Sequence, residues 1–171
     1  MRVLVVVDMQ NDFITGSLSS KEALLICDDL SDYVNKFDGE VIFTLDTHSS
    51  NYLHTQEGRF LPIEHCIKGS FGQLLINKLN LYAEKNKCQC FEKQNFGSLE
   101  VVNYLKDKQG LDEVIIVGVC TDICLIANAV LIKTFLPEIK ISVVSSLCAG
   151  TSTKAHQEAL NVMKSLQIYI N

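Results

Sequence analysis

Apolar strands alternating with amphipathic helices predict an α/β protein: a three-layer α/β/α sandwich around a six-stranded parallel sheet of Rossmann-like topology. Three observations carry that prediction. The runs Val3–Val7 and Val114–Val119 are apolar on both faces, which suits strands covered by helices on each side. Helical spacing recurs between such runs from end to end. No repeat, low-complexity tract or linker interrupts the pattern, and 171 residues suit one domain with a substantial core, so residues 1–171 are expected to form a single domain.

The elements follow in order. Val3–Val7 is the first strand and closes on Asp8. Lys21–Phe37 carries helical spacing at Leu24, Leu25, Leu30, Tyr33 and Val34, with Ser19 and Ser20 as candidate N-caps. Glu40–Leu45 is the second strand. Residues 46–69 are polar and irregular, and a loop that long in a compact domain is usually functional. Ser70–Leu81 reads as a short helix, Gln89–Phe91 as a strand core, and Ser98–Gln109 as a helix stopped by Gly110. Val114–Val119 is the next strand. Asp122–Phe135 is a mostly apolar helix, fit for the core or, through Leu131, Ile132 and Phe135, for an interface in a homo-oligomer. Lys140–Val144, Ser152–Ser165 and Gln167–Ile170 complete the chain as strand, helix and strand.

Composition excludes several classes. The net charge is −5 with no basic stripe, which argues against a nucleic-acid partner. No apolar stretch approaches the ~20 residues needed to cross a bilayer. The start, Met1-Arg2-Val3, enters a strand directly without a signal-peptide pattern, so a cytoplasmic protein is expected. Seven scattered cysteines, an odd number in apolar surroundings, argue against a disulfide framework. Gly-x-Gly-x-x-Gly and Walker patterns are absent, so nucleotide binding has no support.

Several reactive groups converge on the carboxyl ends of the strands, the rim where α/β sheets bind ligands. Asp8 ends the first strand, either as a strand-end cap or as a chemical group. Gly118-Val119-Cys120-Thr121-Asp122-Ile123-Cys124 leads from a strand into a helix, with Thr121 a candidate N-cap. Cys124 then lies in a first helical turn. There the dipole favours a thiolate and free N–H groups can hold an oxyanion, although a buried packing thiol fits the same position. Lys93 ends a third strand; an ammonium beside a carboxylate and a thiol lowers the thiol pKa.

Asp46 and His48, two positions apart, can face one divalent metal, and His65 completes a facial ligand set. Such a set suits Zn²⁺, Mn²⁺ or Fe²⁺, with Zn²⁺ the expected ion. His54 lies nearby as a candidate fourth ligand. Three of the four histidines fall in this loop; the fourth, His156, has no evident partner and is expected to be structural or exposed.

Asp8-Met9-Gln10-Asn11-Asp12-Phe13, Asp46-x-His48, His65-Cys66, Lys93 and Gly118–Cys124, in that order, resemble the isochorismatase-like cysteine hydrolases, and within them the nicotinamidase/pyrazinamidase branch. The resemblance covers almost the whole chain. It implies a triad with Cys124 as nucleophile, Asp8 as proton carrier and Lys93 lowering the thiol pKa. It also implies a cis peptide before Cys120, an oxyanion hole from the N–H groups of Cys120 and Cys124, and a metal on Asp46, His48 and His65. The implied reaction is hydrolysis of a small amide such as nicotinamide through a thioester.

The chain departs from the branch in two places. Leu61-Pro62-Ile63-Glu64 stands where that branch usually carries Trp-Pro, and there is no Trp at all. The aromatic contact to a ring then falls to Phe13, with Phe60 or Phe96 as helpers. The segment Asn51–Gln56 also differs from the usual Asp-His-x-Ser-Phe. An N-carbamoyl compound or another small amide is the alternative substrate class. A non-catalytic binding protein on the same scaffold and true isochorismatase activity are the remaining rivals.

Overall fold

The computed structural model describes residues 1–171. Six strands form one sheet: β1 (Arg2–Val7), β2 (Glu40–Asp46), β3 (Cys90–Lys93), β4 (Glu113–Val119), β5 (Lys140–Ala149) and β6 (Tyr169–Ile170). All pairings are parallel, and the order is β3-β2-β1-β4-β5-β6. The chain therefore builds outward from β1 to β3, then returns to lay β4 on the other side of β1. That reversal is a topological switch point, where crossovers leave a crevice at the carboxyl ends of the strands.

The helices are α1 (Asn11–Ile14), α2 (Lys21–Leu25), α3 (Cys27–Lys36), α4 (Gln56–Phe60), α5 (Asn77–Asn86), α6 (Leu99–Lys106), α7 (Ile126–Phe135) and α8 (Thr153–Ser165). They cover both faces of the sheet and create two cores. One gathers Val3, Val5, Val7, Val114 and Ile116 with Val101, Leu105, Leu125 and Ile132 from the helices. The other gathers Leu4, Val6, Val41, Phe43 and Val117 with Leu30, Val34 and Leu79. Successive residues of β1 enter opposite cores, which is the two-sided burial that an all-apolar strand requires.

Several expected boundaries shift for local reasons. The span Lys21–Phe37 is two helices parted at Ile26; Ser20 caps the first by accepting the Ala23 N–H. The expected helix Ser70–Leu81 is instead Asn77–Asn86. Residues 74–76 are held instead by the segment that follows β1: Asn11 N–H donates to Leu74, Ile76 N–H donates to Met9, and Gln10 bridges Leu75. The irregular stretch 46–69 contains a 3₁₀ turn, Tyr52–His54, as well as α4. The expected helix Asp122–Phe135 begins with a wide π turn, Thr121–Leu125, before α7. Ile132 joins the core rather than an interface. β5 runs on to Ala149 past a register shift opposite Ile116–Gly118.

Candidate active site

Register alone sets most of the site. Val7 pairs with Thr44 on one side and with Gly118 on the other, and Asp46 pairs with Lys93. The groups just beyond these pairs therefore share one rim. Asp8 follows β1 in the left-handed backbone region, φ 48°, which turns its side chain away from the strand's regular alternation. Lys93 reaches across β2 from two strands away.

Asp8, Lys93 and Cys124 meet. Lys93 Nζ lies 2.6 Å from Asp8 Oδ2, 3.4 Å from Asp46 Oδ1 and 3.5 Å from Cys124 Sγ. Thr44 Oγ1 donates to Asp8 Oδ1 at 2.6 Å. Asp8 Oδ2 accepts no hydrogen bond of good geometry; its contact with Lys93 is an ion pair, which leaves a lone pair for a thiol proton. All three side chains are buried, and Cys124 keeps 7% of its surface exposed.

Burial governs their charges. It raises the pKa of Asp8, against the opposing charge of Lys93. It would lower that of Lys93, but the anionic neighbours Asp8, Cys124 and Asp46 outweigh it and keep the ammonium charged. Burial, then the charge of Asp8, push the Cys124 thiol well up, and Lys93 opposes them. Lys93 thus acts in the expected direction without winning at rest. At rest Cys124 is a neutral thiol beside a carboxylate able to take its proton.

Asp46, His48 and His65 form the second group. Their donor atoms lie within 4.8 Å of one another, and all three residues are buried. Asp46 Oδ2 is 3.0 Å from His48 Nε2 and 3.4 Å from His65 Nε2. Donor atoms bound at ~2.0–2.2 Å to a single ion would lie about 3–4 Å apart, so these three fit a divalent metal. The His65 ring bonds through Nδ1 to the Ile63 carbonyl at 2.8 Å, which presents Nε2 to the site. Hydrogen bonds from both imidazoles and the charge of Lys93 outweigh burial and hold Asp46 below the usual carboxylate range. Asp46 also touches Lys93, so one carboxylate joins the two groups.

His54 is not part of this set. It is exposed in the 3₁₀ turn, whose inward residue is Tyr52; the Tyr52 ring packs 4.7 Å from His48 and 4.9 Å from His65. The group that does approach is Glu57, with Oε1 3.7 Å from His48 Nε2 and 3.8 Å from His65 Nε2. Thr55 caps α4 by accepting the Gly58 N–H, which fixes the turn carrying Glu57. That cap motif was the only sequence signal for it. Gln10 was also missed: its amide accepts the Asp46 N–H at 2.8 Å and donates to the Asp46 and Gln73 carbonyls at 2.8 and 2.7 Å.

Phe13 is buried against His65, with ring centroids 5.8 Å apart. Phe60, 92% exposed, and Phe96 line a cavity of about 760 Å³ with His48, Glu57, Arg59 and Asn95. The cavity reaches His48 and Glu57 but not Asp46, His65 or the thiol. Thr121 is not an N-cap: Cys120 holds that position without a side-chain bond, and the Thr121 hydroxyl pairs with His156. The Val119–Cys120 peptide is cis, as the resemblance implied. No helix is long and apolar enough to cross a membrane.

A parallel α/β sheet carrying a thiol, a carboxylate and an ammonium at its switch point, beside a divalent-metal group, defines a cysteine hydrolase of the amide-cleaving kind. The chain belongs to the isochorismatase family, whose domain model matches residues 2–170. It is 27% identical to a nicotinamidase of Saccharomyces cerevisiae, over 76% of this chain and 80% of that protein. Among solved structures it resembles the nicotinamidase/pyrazinamidase of Bacillus subtilis, with a TM-score of 0.86 and 26% identity over 99% of this chain and 98% of that one. It equally resembles the pyrazinamidase/nicotinamidase of Streptococcus mutans, with a TM-score of 0.85 and 26% identity over the whole of both chains.

Proposed function

We propose that this protein hydrolyses nicotinamide, or a close planar amide, to the acid and ammonia through a thioester on Cys124. The approach of Asp8 and Cys124 to within 3.5 Å of the Lys93 ammonium carries this reading. The nicotinamidase relatives support the substrate.

The steps follow from the geometry. Asp8 takes the thiol proton, and the sulfur attacks the carbonyl carbon. The Lys93 ammonium offsets the negative charge that appears on sulfur. The N–H groups of Cys120 and Cys124 hold the oxyanion. The carbon–nitrogen bond breaks as Asp8 returns the proton to the amine, and ammonia leaves. Asp8 then deprotonates a water that attacks the thioester; the acid departs and the sulfur regains its proton. Asp46, His48 and His65, with Glu57 beside them, would hold the metal, and Zn²⁺ suits two imidazoles and a carboxylate. When bound it supplies a Lewis-acidic anchor for a ring nitrogen. Phe13 packs one side of the ring site.

Ammonia release from nicotinamide and pyrazinamide tests this directly. Turnover should vanish in Cys124→Ala while the circular dichroism spectrum stays native. Persistent turnover in that variant would sink the covalent mechanism. The absence of Trp and the exposed Phe60 favour a second reading, an N-carbamoyl or other small amide, which a panel of amides in the same assay separates.

We further read residues 1–171 as one catalytic domain, in line with a family match over 2–170. Seven free thiols suit the reducing cytoplasm. Exposed Leu99 and Phe135 support a homo-oligomer, which light scattering would size.

A further inference from the structure

We propose that His156, acting through Thr121, is a positioning residue for the oxyanion hole. The inference rests on the reading of Cys124 as nucleophile given above.

Thr121 is completely buried, yet its hydroxyl does not cap the turn it begins. Oγ1 lies 2.8 Å from His156 Nδ1, on the first turns of α8. The next residue is tied to the same region. Asp122 Oδ1 accepts the Thr151 N–H at 2.8 Å, and Oδ2 accepts the Thr151 hydroxyl at 2.5 Å. The β5–α8 junction packs tightly here: a β-carbon on Gly150 would stand 2.8 Å from Asp122 Oδ1 and 2.9 Å from the backbone nitrogen of His156.

The other end of the Cys120–Thr121 peptide is gripped from inside the turn. The Cys120 carbonyl accepts both the Ile123 and the Leu125 N–H at 3.0 Å and passes over Cys124. A π turn of this kind is wider than an α turn and frequent at functional sites. The Cys120 N–H enters no hydrogen bond within the protein. The Cys120–Thr121 peptide is therefore held by its carbonyl on one side and by the Thr121 hydroxyl on the other, and it shares the Cys120 α-carbon with the Val119–Cys120 peptide that carries the donor N–H.

An oxyanion hole works only if its donors stand in place before charge develops, because a shift of a few tenths of an ångström weakens a short hydrogen bond. The hydrogen bonds and ion pairs of Asp8 and Lys93 do not reach Thr121. The His156 imidazole does. Burial lowers its pKa, so the ring is neutral at pH 7 and its Nδ1 can accept the Thr121 hydroxyl. His156 would thereby aim the donors without touching substrate.

The test separates attack from oxyanion stabilisation. Alkylation of Cys124 by iodoacetamide needs the thiolate but forms no oxyanion; amide or ester cleavage needs both. Thr121→Val and His156→Leu should lower kcat about 10–100-fold, with KM and the alkylation rate within about twofold of wild type. Thr121→Ser, which keeps the hydroxyl, should recover most of the loss. An unchanged kcat in the folded His156→Leu variant overturns the proposal. So does an alkylation rate that falls in step with kcat, or a Thr121→Ser variant no better than Thr121→Val. His156 is on the flank of α8 and half-buried, so its variant serves if Thr121→Val does not fold. 4-Nitrophenyl acetate, which needs the thiol and the hole but no ring site, decides the parent reading. Wild type acylated by the ester but idle on amides removes the substrate assignment alone, and the variants are then compared on the ester. Wild type acylated by neither removes both.

Discussion

Asp8 occupies a left-handed backbone conformation that costs a residue with a β-carbon about 1 kcal/mol or more. The conformation persists because Thr44, Lys93 and both flanking strands determine it, and it aims a carboxylate at a thiol. Asp8→Asn keeps the shape and removes the carboxylate. We expect kcat for ammonia release to fall about 10²–10⁴-fold, with a small change in KM. Iodoacetamide should also alkylate Cys124 more slowly, since no carboxylate is left to draw off its proton; an unchanged alkylation rate would argue that another group accepts it. The metal group offers a second comparison at this scale. His54 is exposed and Glu57 stands near both imidazoles. His54→Ala should leave zinc affinity, measured by chelator competition, within twofold. Glu57→Gln should weaken it about 10-fold, the scale of a supporting or weak ligand. The opposite ranking would restore His54, the candidate fourth ligand of the sequence.

Elements deliver these residues, and β4 shows how little freedom they have. Gly118 adopts φ 117°, and a β-carbon there would stand 2.1 Å from the Val7 carbonyl oxygen on the neighbouring strand. Gly118→Ala must therefore move β1 or β4 apart at the point where Asp8 and the turn carrying Cys124 begin. A loss of about 3 kcal/mol or more is expected in urea unfolding, together with lower kcat. Strands of this kind were legible in the sequence because double-sided burial leaves a continuous apolar run, as in Val3–Val7. The meeting of Asp8, Lys93 and Cys124 and the Asp46, His48, His65 set were legible for a related reason: each residue follows a strand end, opens a helix after one or sits in the one long polar loop. What escaped had no periodicity to show. The break at Ile26 lies inside an unbroken helical pattern, and residues 72–76 are tied to Met9–Asp12 through backbone bonds that no side chain announces. Glu57 and His156 gained partners only when distant segments packed together, 9 and 35 residues away from His48 and Thr121 in sequence.

At the scale of the molecule, the strand order places the chemistry where β1, β4 and the reach of Lys93 intersect, and the surrounding core excludes water from it. That exclusion has a consequence for stability at high pH. Burial pushes the Cys148 thiol from 9.0 up to about 12 and the Cys120 thiol likewise to about 12, and it raises Cys66 and Cys124 as well. In each case the folded pKa lies above the unfolded one, so the folded state holds the proton more tightly. The stabilisation is then fully present below pH 9 and is lost as pH rises through the folded values, between about 9 and 12. One pKa unit corresponds to about 1.4 kcal/mol, so Cys148 alone can account for a loss of about 4 kcal/mol across that window. Tyr52, raised to about 12 by burial, titrates in the same range, so the total slope does not isolate the thiols. The difference between wild type and Cys148→Ala does. Cys148 pairs with Gly118 inside the sheet and takes no part in the chemistry. Its alanine variant should be modestly less stable at pH 8, from the lost packing. It should then lose less further stability between pH 8 and pH 10.5 in urea titrations under reducing conditions. Parallel curves for the two proteins would show that this thiol ionises as readily in the fold as in the unfolded chain, and that the core beneath the site admits water.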